Sequence, residues 1–270
     1  MELSLINLLI PALVGVCIGV LSAMFGIGGG VVMVPVIRIF FDRAAAVASA
    51  SSLFAILPTS LMGMYARRND KSLYYGYGLM LGLGGALCSP VGAYMATHLP
   101  GWLAMTTTAC LICFTSYKQF KKLGYFGAKS SGNIAEVHRD PLPIKDQLSL
   151  EHAKYCLPIG AVAGVLSGFI GVGGGFIIVP LLCRFLGLSI KEGTGTSLVA
   201  VCLLAIPGVL SHAYYGNIDY LLGLMFVIGS LPGAQLGAHL VRTYSNKRLS
   251  LLFAFVLLGA GFLLLIKEFI

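Results

Sequence analysis

The chain has 270 residues, of which 57% are hydrophobic and only 10% are charged. A water-soluble domain carries about 25% charged residues, so this composition excludes a soluble globule and predicts a protein whose surface faces lipid. The formal net charge is +8, but the basic residues occupy short gaps between apolar runs and one central segment, as cytoplasmic loops do. Nucleic-acid binding is therefore not expected.

The first apolar run covers about residues 3–41 and is interrupted by the glycine cluster Gly26–Gly30. As one helix at about 1.5 Å per residue, the run would be about twice as long as the hydrocarbon core is thick. It must therefore break. Glycine costs about 1 kcal/mol in a helix relative to alanine, which favours a break at the cluster. We expect two helical legs, at about 5–23 and 31–41, joined by a glycine turn that either crosses fully or is re-entrant.

The remainder of the chain contains further apolar runs on either side of a hydrophilic segment. In the first half, spans are predicted at about 45–66, 73–96 and 102–118. Between Lys118 and about Glu151, charged residues and two prolines predict a linker. The second half repeats the plan, with legs at about 154–170 and 175–187 and spans at about 193–213, 218–240 and 248–266.

The two halves carry the same motif at a constant spacing. Gly26 corresponds to Gly171 and Pro35 to Pro180, both at an offset of 145 (171 − 26 and 180 − 35). The chain is therefore predicted to be an all-α polytopic membrane protein. It would consist of a first repeat (1–118), a cytoplasmic linker (119–151) and a second repeat (152–270).

The distribution of lysine and arginine predicts the orientation of the loops. The linker, the Arg67–Lys71 loop and the basic turns near Lys191 and Arg242 should be cytoplasmic, and the other turns should be outside. These assignments alternate only if each glycine hairpin returns to the side from which it starts. Each half then has one glycine-broken hairpin and three transmembrane helices. The two repeats have inverted topology, and both termini are extracytoplasmic.

The glycine clusters are the first candidate binding elements. They match neither GxGxxG nor a P-loop. At a helix start, glycine lets backbone amides face a cavity, where N–H groups and the helix dipole attract anions. Transporters with inverted repeats bind substrate where such broken helices meet near the midplane. The alternative is close helix packing through small residues. The predicted substrate-binding glycines are Gly28, Gly29, Gly30, Gly173, Gly174 and Gly175.

A second repeated cluster carries hydroxyl groups. Ser51 and Ser52 correspond to Thr196 and Ser197 at the same offset (196 − 51 = 145). Such hydroxyls either coordinate a ligand oxygen or cap backbone groups. If pseudo-symmetry brings both copies together, four hydroxyls line one site. No lysine or arginine lies deep in a span, so an anion would be held mainly by neutral donors.

Three other polar residues in the spans are candidates. Gln235 would bind substrate or make an interhelical hydrogen bond. His212 and His239, near span ends, would couple transport to protons or anchor the helices at the interface. There is no mid-span carboxylate, no HExxH and no GxSxG motif, so neither an enzyme activity nor a metal or cofactor is expected.

The paired glycine motifs resemble those of the TauE/SafE sulfite-exporter family, and so do the Ser51–Leu53, Thr196–Leu198 and Gly233–Ala238 segments. The resemblance covers nearly the whole chain except 119–151. It implies a permease of the bacterial inner membrane for small sulfur-containing anions such as sulfite, sulfoacetate and related sulfonates, by proton coupling or facilitated flux. The first half has Ser89-Pro90 where the second has Ala234-Gln235, so the halves would contribute unequally.

Together these features predict transport by alternating access, with the site between the two glycine hairpins. An anion-selective channel is the alternative. The expected partners are a small anionic substrate and the lipid bilayer. The exact substrate, the direction, the coupling ion and the oligomeric state do not follow from the sequence.

Overall fold

The structure, a computed structural model, describes residues 5–70, 73–122 and 150–269, and all regular secondary structure in these ranges is helical. The helices are α1 (Leu5–Phe25), α2 (Gly30–Phe40), α3 (Ala45–Ala66), α4 (Tyr75–His98), α5 (Gly101–Lys122), α6 (Leu150–Ile170), α7 (Gly175–Phe185), α8 (Ile190–Tyr214), α9 (Tyr220–Thr243) and α10 (Asn246–Phe269). A helix occurs at each predicted leg and span, with ends that differ by a few residues, but the predicted span at 102–118 (α5) is not among the described helices that are long and apolar enough to cross a membrane. Most of the predicted linker, residues 123–149, lies outside the described residues.

The glycine clusters break their apolar runs as predicted, between α1 and α2 and between α6 and α7. Helices α2 and α7 have 11 residues each. At 1.5 Å per residue this is about 16 Å, roughly half of the hydrocarbon core. The chain therefore contains two half-length helices, each connected to a long helix by a glycine turn.

Five helices in the described ranges are long and apolar enough to cross a membrane: α3, α4, α8, α9 and α10. Helix α3, with 22 residues, is about 33 Å long, close to the thickness of the hydrocarbon core. The outer surface of the bundle is apolar, since Leu13, Leu87 and Leu210 are 67%, 81% and 66% exposed. These side chains are suited to lipid rather than water.

Helices α1 and α9 pack in parallel through glycines. A Cβ atom at Gly229, Gly233 or Gly237 of α9 would overlap the backbone carbonyl oxygen of a residue in α1. The partners, Ala12, Val16 and Val20 in that order, advance along α1 as the glycines advance along α9. This is the small-residue packing that brings membrane helices into backbone contact.

Helices α6 and α4 form a second parallel pair, equivalent to the pair of α1 and α9. Gly160, Gly164 and Gly168 of α6 face the backbone of Leu81, Gly85 and Ser89 of α4. Because α6 corresponds to α1 and α4 to α9, each half supplies the partner for the first helix of the other half. The two halves are thus interleaved rather than side by side.

Helices α3 and α8 cross antiparallel at the centre of the molecule. Leu53 contacts the backbone of α8 at Gly208, whereas Gly63 faces Leu198, so residue numbers rise along α3 as they fall along α8. Ile56 and Val201 belong to one buried cluster between them. They are equivalent residues (201 − 56 = 145) and lie near the middle of their helices. Their level is called mid-height below.

One end of the bundle, the arginine end, is formed by Arg67, Asp70, Lys191 and Arg242. Arg67 Nη2 donates to Lys191 O at 2.8 Å, and Arg242 Nη2 lies 2.9 Å from Asp70 Oδ1. Loops that the charge distribution predicts to be cytoplasmic therefore meet at this end. Which end faces the cytoplasm stays a prediction.

The opposite end, the Asp219 end, is formed by Arg43, Thr97, Asn217 and Asp219. Arg43 Nη2 lies 2.8 Å from Asp219 Oδ2, and Asn217 Nδ2 donates to Thr97 Oγ1 at 3.1 Å. Helix α3 runs from this end to the arginine end. The two ends are therefore separated by about 33 Å, the length of that helix.

The two glycine hairpins start from opposite ends of the bundle. Helix α1 runs parallel to α9 and so starts at the Asp219 end, and α2 leads back to Arg43 at that end. Helix α6 runs parallel to α4 and so starts at the arginine end, and α7 leads back towards Lys191 there. The two glycine turns thus reach the interior from opposite directions.

Candidate functional site

Each glycine turn uses backbone conformations that only glycine adopts readily. The φ angles are 72° at Gly28 and 86° at Gly29, and 81° and 69° at the equivalent Gly173 and Gly174. A residue with a Cβ atom is strained in this left-handed region. The turns can therefore reverse the chain within a few residues and begin α2 and α7 immediately.

The two turns are in backbone contact with each other. A Cβ atom at Gly30 would lie 2.6 Å from Val172 Cα, and one at Gly175 would lie 2.7 Å from Ile27 Cα. Ile56 packs on both turns, because a Cβ atom at Gly28 would lie 2.6 Å from its Cγ2 and one at Gly173 would lie 3.2 Å from its Cδ1. The turns therefore meet at mid-height.

Each turn is also held by a hydroxyl group of the other half. Ser52 Oγ donates to Gly171 O at 2.6 Å, and Ser197 Oγ donates to Gly26 O at 2.7 Å. The two bonds are equivalent, since 197 − 52 and 171 − 26 are both 145. All four residues are buried. A displacement of one turn must break a bond to the opposite half.

The neighbouring hydroxyls bond to the backbone of the opposite half as well. Ser51 Oγ accepts from Asp219 N at 2.9 Å, and Thr196 Oγ1 accepts from Tyr74 N at 3.3 Å. Asp219 and Tyr74 are again equivalent (219 − 74 = 145). All four hydroxyls therefore bond to backbone groups, which is the alternative to ligand binding that the sequence left open. Their role as substrate ligands stays a prediction.

The amides at the start of α2 and α7 have few partners. No side chain caps either helix, whereas Ser189 and Asp219 cap α8 and α9. Within the described residues, the N–H groups of the first-half glycines 28–30 and of second-half glycines 173 and 174 have no hydrogen-bond partner, while Gly175 N donates to Gly173 O at 2.9 Å. Buried amides without partners are rare. With the helix dipole, they form a site suited to negative charge.

The structure does not bring Gln235 and His239 to the glycine turns. Both side chains are exposed on α9. Gln235 Nε2 lies 3.4 Å from Met62 Sδ of α3, a contact between two helices. The part of Gln235 in binding and of His239 in proton coupling stays a prediction.

His212 lies inside the protein rather than at an interface with water. Its side chain is fully buried, and Nε2 is 2.9 Å from Gly168 O. Within the described residues, Nδ1 has no hydrogen-bond partner. Anchoring at the membrane surface, the alternative role considered for this histidine, does not fit its burial.

Arg67, which sequence reasoning did not single out, is the largest fully buried side chain among the described residues. Besides Lys191 O, its guanidinium donates to Thr194 Oγ1 at 3.1 Å. Burial lowers the pKa of Arg67 to about 10, an effect that the nearby Asp70 opposes, so the group is charged at neutral pH. Its equivalent is the candidate His212 (212 − 67 = 145), and the repeat offset applied to His212 would have identified Arg67.

Metal-ligating side chains do not cluster in the part of the chain that the structure describes. No group of three or more His, Cys, Asp or Glu residues there could hold a metal ion. The donors near the turns are backbone amides and hydroxyls, which suit an anion.

Two half-length helices with uncapped, glycine-containing starts meet at mid-height within a bundle of apolar helices. Broken helices that meet in this way are a feature of multi-pass membrane transporters. The family model described as "Sulfite exporter TauE/SafE" matches residues 11–264, and the chain belongs to that family.

Similar proteins carry transporter names. The chain is 25% identical to "Probable membrane transporter protein YunE" of Bacillus subtilis, over 94% of this chain and 96% of the relative. It is 26% identical to "Probable membrane transporter protein YdhB" of the same organism, over 82% and 85%. It is also 26% identical to a "Probable membrane transporter protein" of Methanocaldococcus jannaschii, over 96% of each chain. No solved structure matches the chain.

Proposed function

We propose that this protein transports small sulfur-containing oxyanions, such as sulfite or organosulfonates, across a bacterial plasma membrane by alternating access. The observation that carries the proposal is the meeting, at mid-height, of two equivalent glycine turns with unpartnered buried amides. The family description, sulfite exporter, supports the substrate class.

The chemistry of the turns suits this class of substrate. Sulfite and sulfonate groups present three oxygen atoms, each of which accepts hydrogen bonds. The amides around Gly28, Gly29 and Gly30 would bind these oxygens in one turn, and those around Gly173 and Gly174 in the other, with Gly175 at the start of α7. Because the donors are neutral, the anion would be bound without a fixed cation at mid-height and could be released.

Contact between the two turns favours a carrier over an open channel. Gly30 and Gly175 lie against the opposite turn, so an anion can pass mid-height only if the turns separate. Since the hairpins start from opposite ends, we propose two repeats of inverted topology that rock against each other. Ser52 and Ser197 would then exchange their turn carbonyls for substrate oxygens in the separated conformation, beside Ser51 and Thr196.

Coupling to protons is assigned to His212 rather than to His239. The His212 ring is buried in the last turn of α8, and its Nδ1 has no partner in the described ranges. A buried imidazole can take up a proton during a conformational change and release it in another state. His212→Gln should therefore abolish stimulation of uptake by a pH gradient, whereas His239→Gln should not.

Reconstitution into liposomes tests the function. Purified protein should exchange radiolabelled sulfite for internal sulfite, sulfoacetate or thiosulfate, and protein-free liposomes should not. Failure of all three anions to exchange would overturn the oxyanion proposal. Single-channel conductance in a planar bilayer would overturn the carrier mechanism. A Gln235→Ala variant with unchanged sulfite affinity would remove that residue from the site.

A further inference from the structure

Two buried serines precede the glycine turns and were not among the predicted ligands. Ser22 and Ser167 are equivalent (167 − 22 = 145), and both are fully buried. Their carbonyls accept from Gly26 N at 2.9 Å and from Gly171 N at 2.8 Å. The carbonyl group of each serine therefore bonds the long helix to the first glycine of the turn that follows.

The hydroxyl groups of these serines have no partner within the described residues. Serine and threonine in helices usually bond to a carbonyl three or four residues back, as Thr59 and Thr108 do here at 2.7 Å and 2.5 Å. An unpartnered hydroxyl in a buried position is unfavourable. The same feature recurs at both copies of one position, four residues before each glycine turn, so a shared function can account for it.

The faces of α1 and α6 that carry the two serines lie against the starts of the half-length helices. A Cβ atom at Gly29 would lie 2.7 Å from Ile18 Cγ2 and 3.4 Å from Ser22 Cβ, so this face of α1 lies against the first turn. In the second half, a Cβ atom at Gly174 would lie 3.3 Å from the Cβ of Ala163. Ala163 is one helical turn before Ser167 on the same face of α6.

A third buried hydroxyl without a partner in these ranges has a different environment. Ser89 Oγ would lie 2.5 Å from a Cβ atom at Gly208 of α8. Its equivalent is Ala234 (234 − 89 = 145). Among the residues that the structure describes, only Ser22 and Ser167 combine an unpartnered hydroxyl, a glycine turn and repetition in both halves.

We propose that Ser22 and Ser167 donate hydrogen bonds to the transported oxyanion, one at each turn. The inference rests on the proposed function. Each hydroxyl would act together with the unpartnered amides of its own turn, so that one neutral O–H donor and several N–H donors converge on the anion. In the present conformation Ser52 and Ser197 donate their protons to turn carbonyls, so they hold the turns in place until the repeats separate and these hydroxyls join the shell of the anion.

The test compares substrate affinity with thermal stability in four variants. Ser22→Ala and Ser167→Ala should each raise the KM for sulfite in liposomes by about ten- to a hundred-fold, as expected for a lost hydrogen bond to a charged group. Their melting temperatures should be unchanged or higher, because no bond within the protein is lost. Ser22→Cys and Ser167→Cys keep the side-chain size but replace the hydroxyl with a weak donor, and should also raise KM.

Ser116→Ala is the matched control. Ser116 is a fully buried helical serine whose hydroxyl donates to Ala254 O at 2.9 Å between α5 and α10. This variant should lose stability and keep the wild-type KM. The opposite pattern in Ser22→Ala and Ser167→Ala, a lower melting temperature with an unchanged KM, would overturn the inference.

The inference and the proposed function fail in different ways. If the wild-type protein exchanges sulfite and all four variants keep its KM, the serines are not ligands and the transport function stands. If the wild-type protein exchanges none of the oxyanions, the proposed function fails, and the role of the serines fails with it.

Discussion

At mid-height, each half of the protein holds the other in the same way. Ser52 donates to Gly171 O in one direction, and Ser197 donates to Gly26 O in the other. Ile56 and Val201, which pack around the turns, are likewise equivalent residues. The contacts around the turns therefore obey the pseudo-symmetry of the chain closely.

The two ends of the bundle do not obey it. Arg67 at the arginine end corresponds to His212, and Arg242, which pairs with Asp70, corresponds to Thr97 (242 − 97 = 145). Thr97 makes neutral hydrogen bonds instead: it accepts from Asn217 Nδ2 at the Asp219 end and donates to Ala93 O in its own helix. Under the proposed function this contrast is expected, because both halves would bind the same substrate at the turns, whereas the two ends would face different compartments and could close with different contacts.

The largest loss of stability is expected for Arg67→Ala, and it should exceed the loss for the equivalent change at His212. Arg67→Ala should lower the free energy of unfolding by about 3–5 kcal/mol, because it leaves a large cavity and unpaired polar groups. His212→Ala should cost about 1–3 kcal/mol, for one hydrogen bond and a smaller ring. Thermal unfolding in detergent measures both. Equal losses would show that the two ends are equivalent after all.

Alanine substitutions at Gly30 and Gly175 test the contact between the turns. Alanine at either position should cost about 1–3 kcal/mol, because the added methyl group enters occupied space. The two losses should be similar, since both positions face the backbone of the opposite turn. Gly259→Ala in α10 is the control, because a Cβ atom there meets nothing within 4 Å. A stable, active Gly175→Ala protein would contradict the contact.

The exchanged hydroxyl bonds predict a matched pair of smaller losses. Ser52→Ala and Ser197→Ala should each lower the free energy of unfolding by about 1–3 kcal/mol, because a buried carbonyl loses its donor. Since the two bonds are equivalent, the losses should agree within experimental error. Denaturant titrations of the two variants beside the wild type provide the comparison. A loss in only one variant would mean that the symmetry at mid-height is geometric but not energetic.

The smallest effect concerns the ion pairs at the two ends. Arg242 is 48% exposed and Arg43 is 40% exposed, so each pair should stabilise its end by about 0.2–1 kcal/mol. Arg242→Ala should favour opening at the arginine end, and Arg43→Ala at the Asp219 end. Initial rates of sulfite influx and efflux in oriented liposomes should shift in opposite directions. A shift in the same direction for both variants would show that the ion pairs do not control the closing of the two ends.

Several features of the fold could be predicted because they depend on local sequence and on the thickness of a bilayer. The break at Gly26–Gly30 follows from an apolar run too long for one span, and α3 was predicted at the residues where it occurs. The bond from Ser52 to Gly171 could not be predicted, since its partners are 119 residues apart. Hydroxyl groups can donate to a ligand or to a carbonyl, and only the packing of the two halves determines which one is near.

The sequence by itself determined the class of protein, the positions of the glycine turns and the equivalence of residues 145 apart. These follow from hydropathy, from the conformations open to glycine and from repetition, all of which are properties of short segments. The packing of the helices was needed to show that the turns touch at mid-height and that Gln235 is exposed. It also showed that the hydroxyls of Ser52 and Ser197 have partners, whereas those of Ser22 and Ser167 have none within the described residues. Hydrogen-bond partners and burial depend on which helices meet, and this is settled by the packing of both halves together.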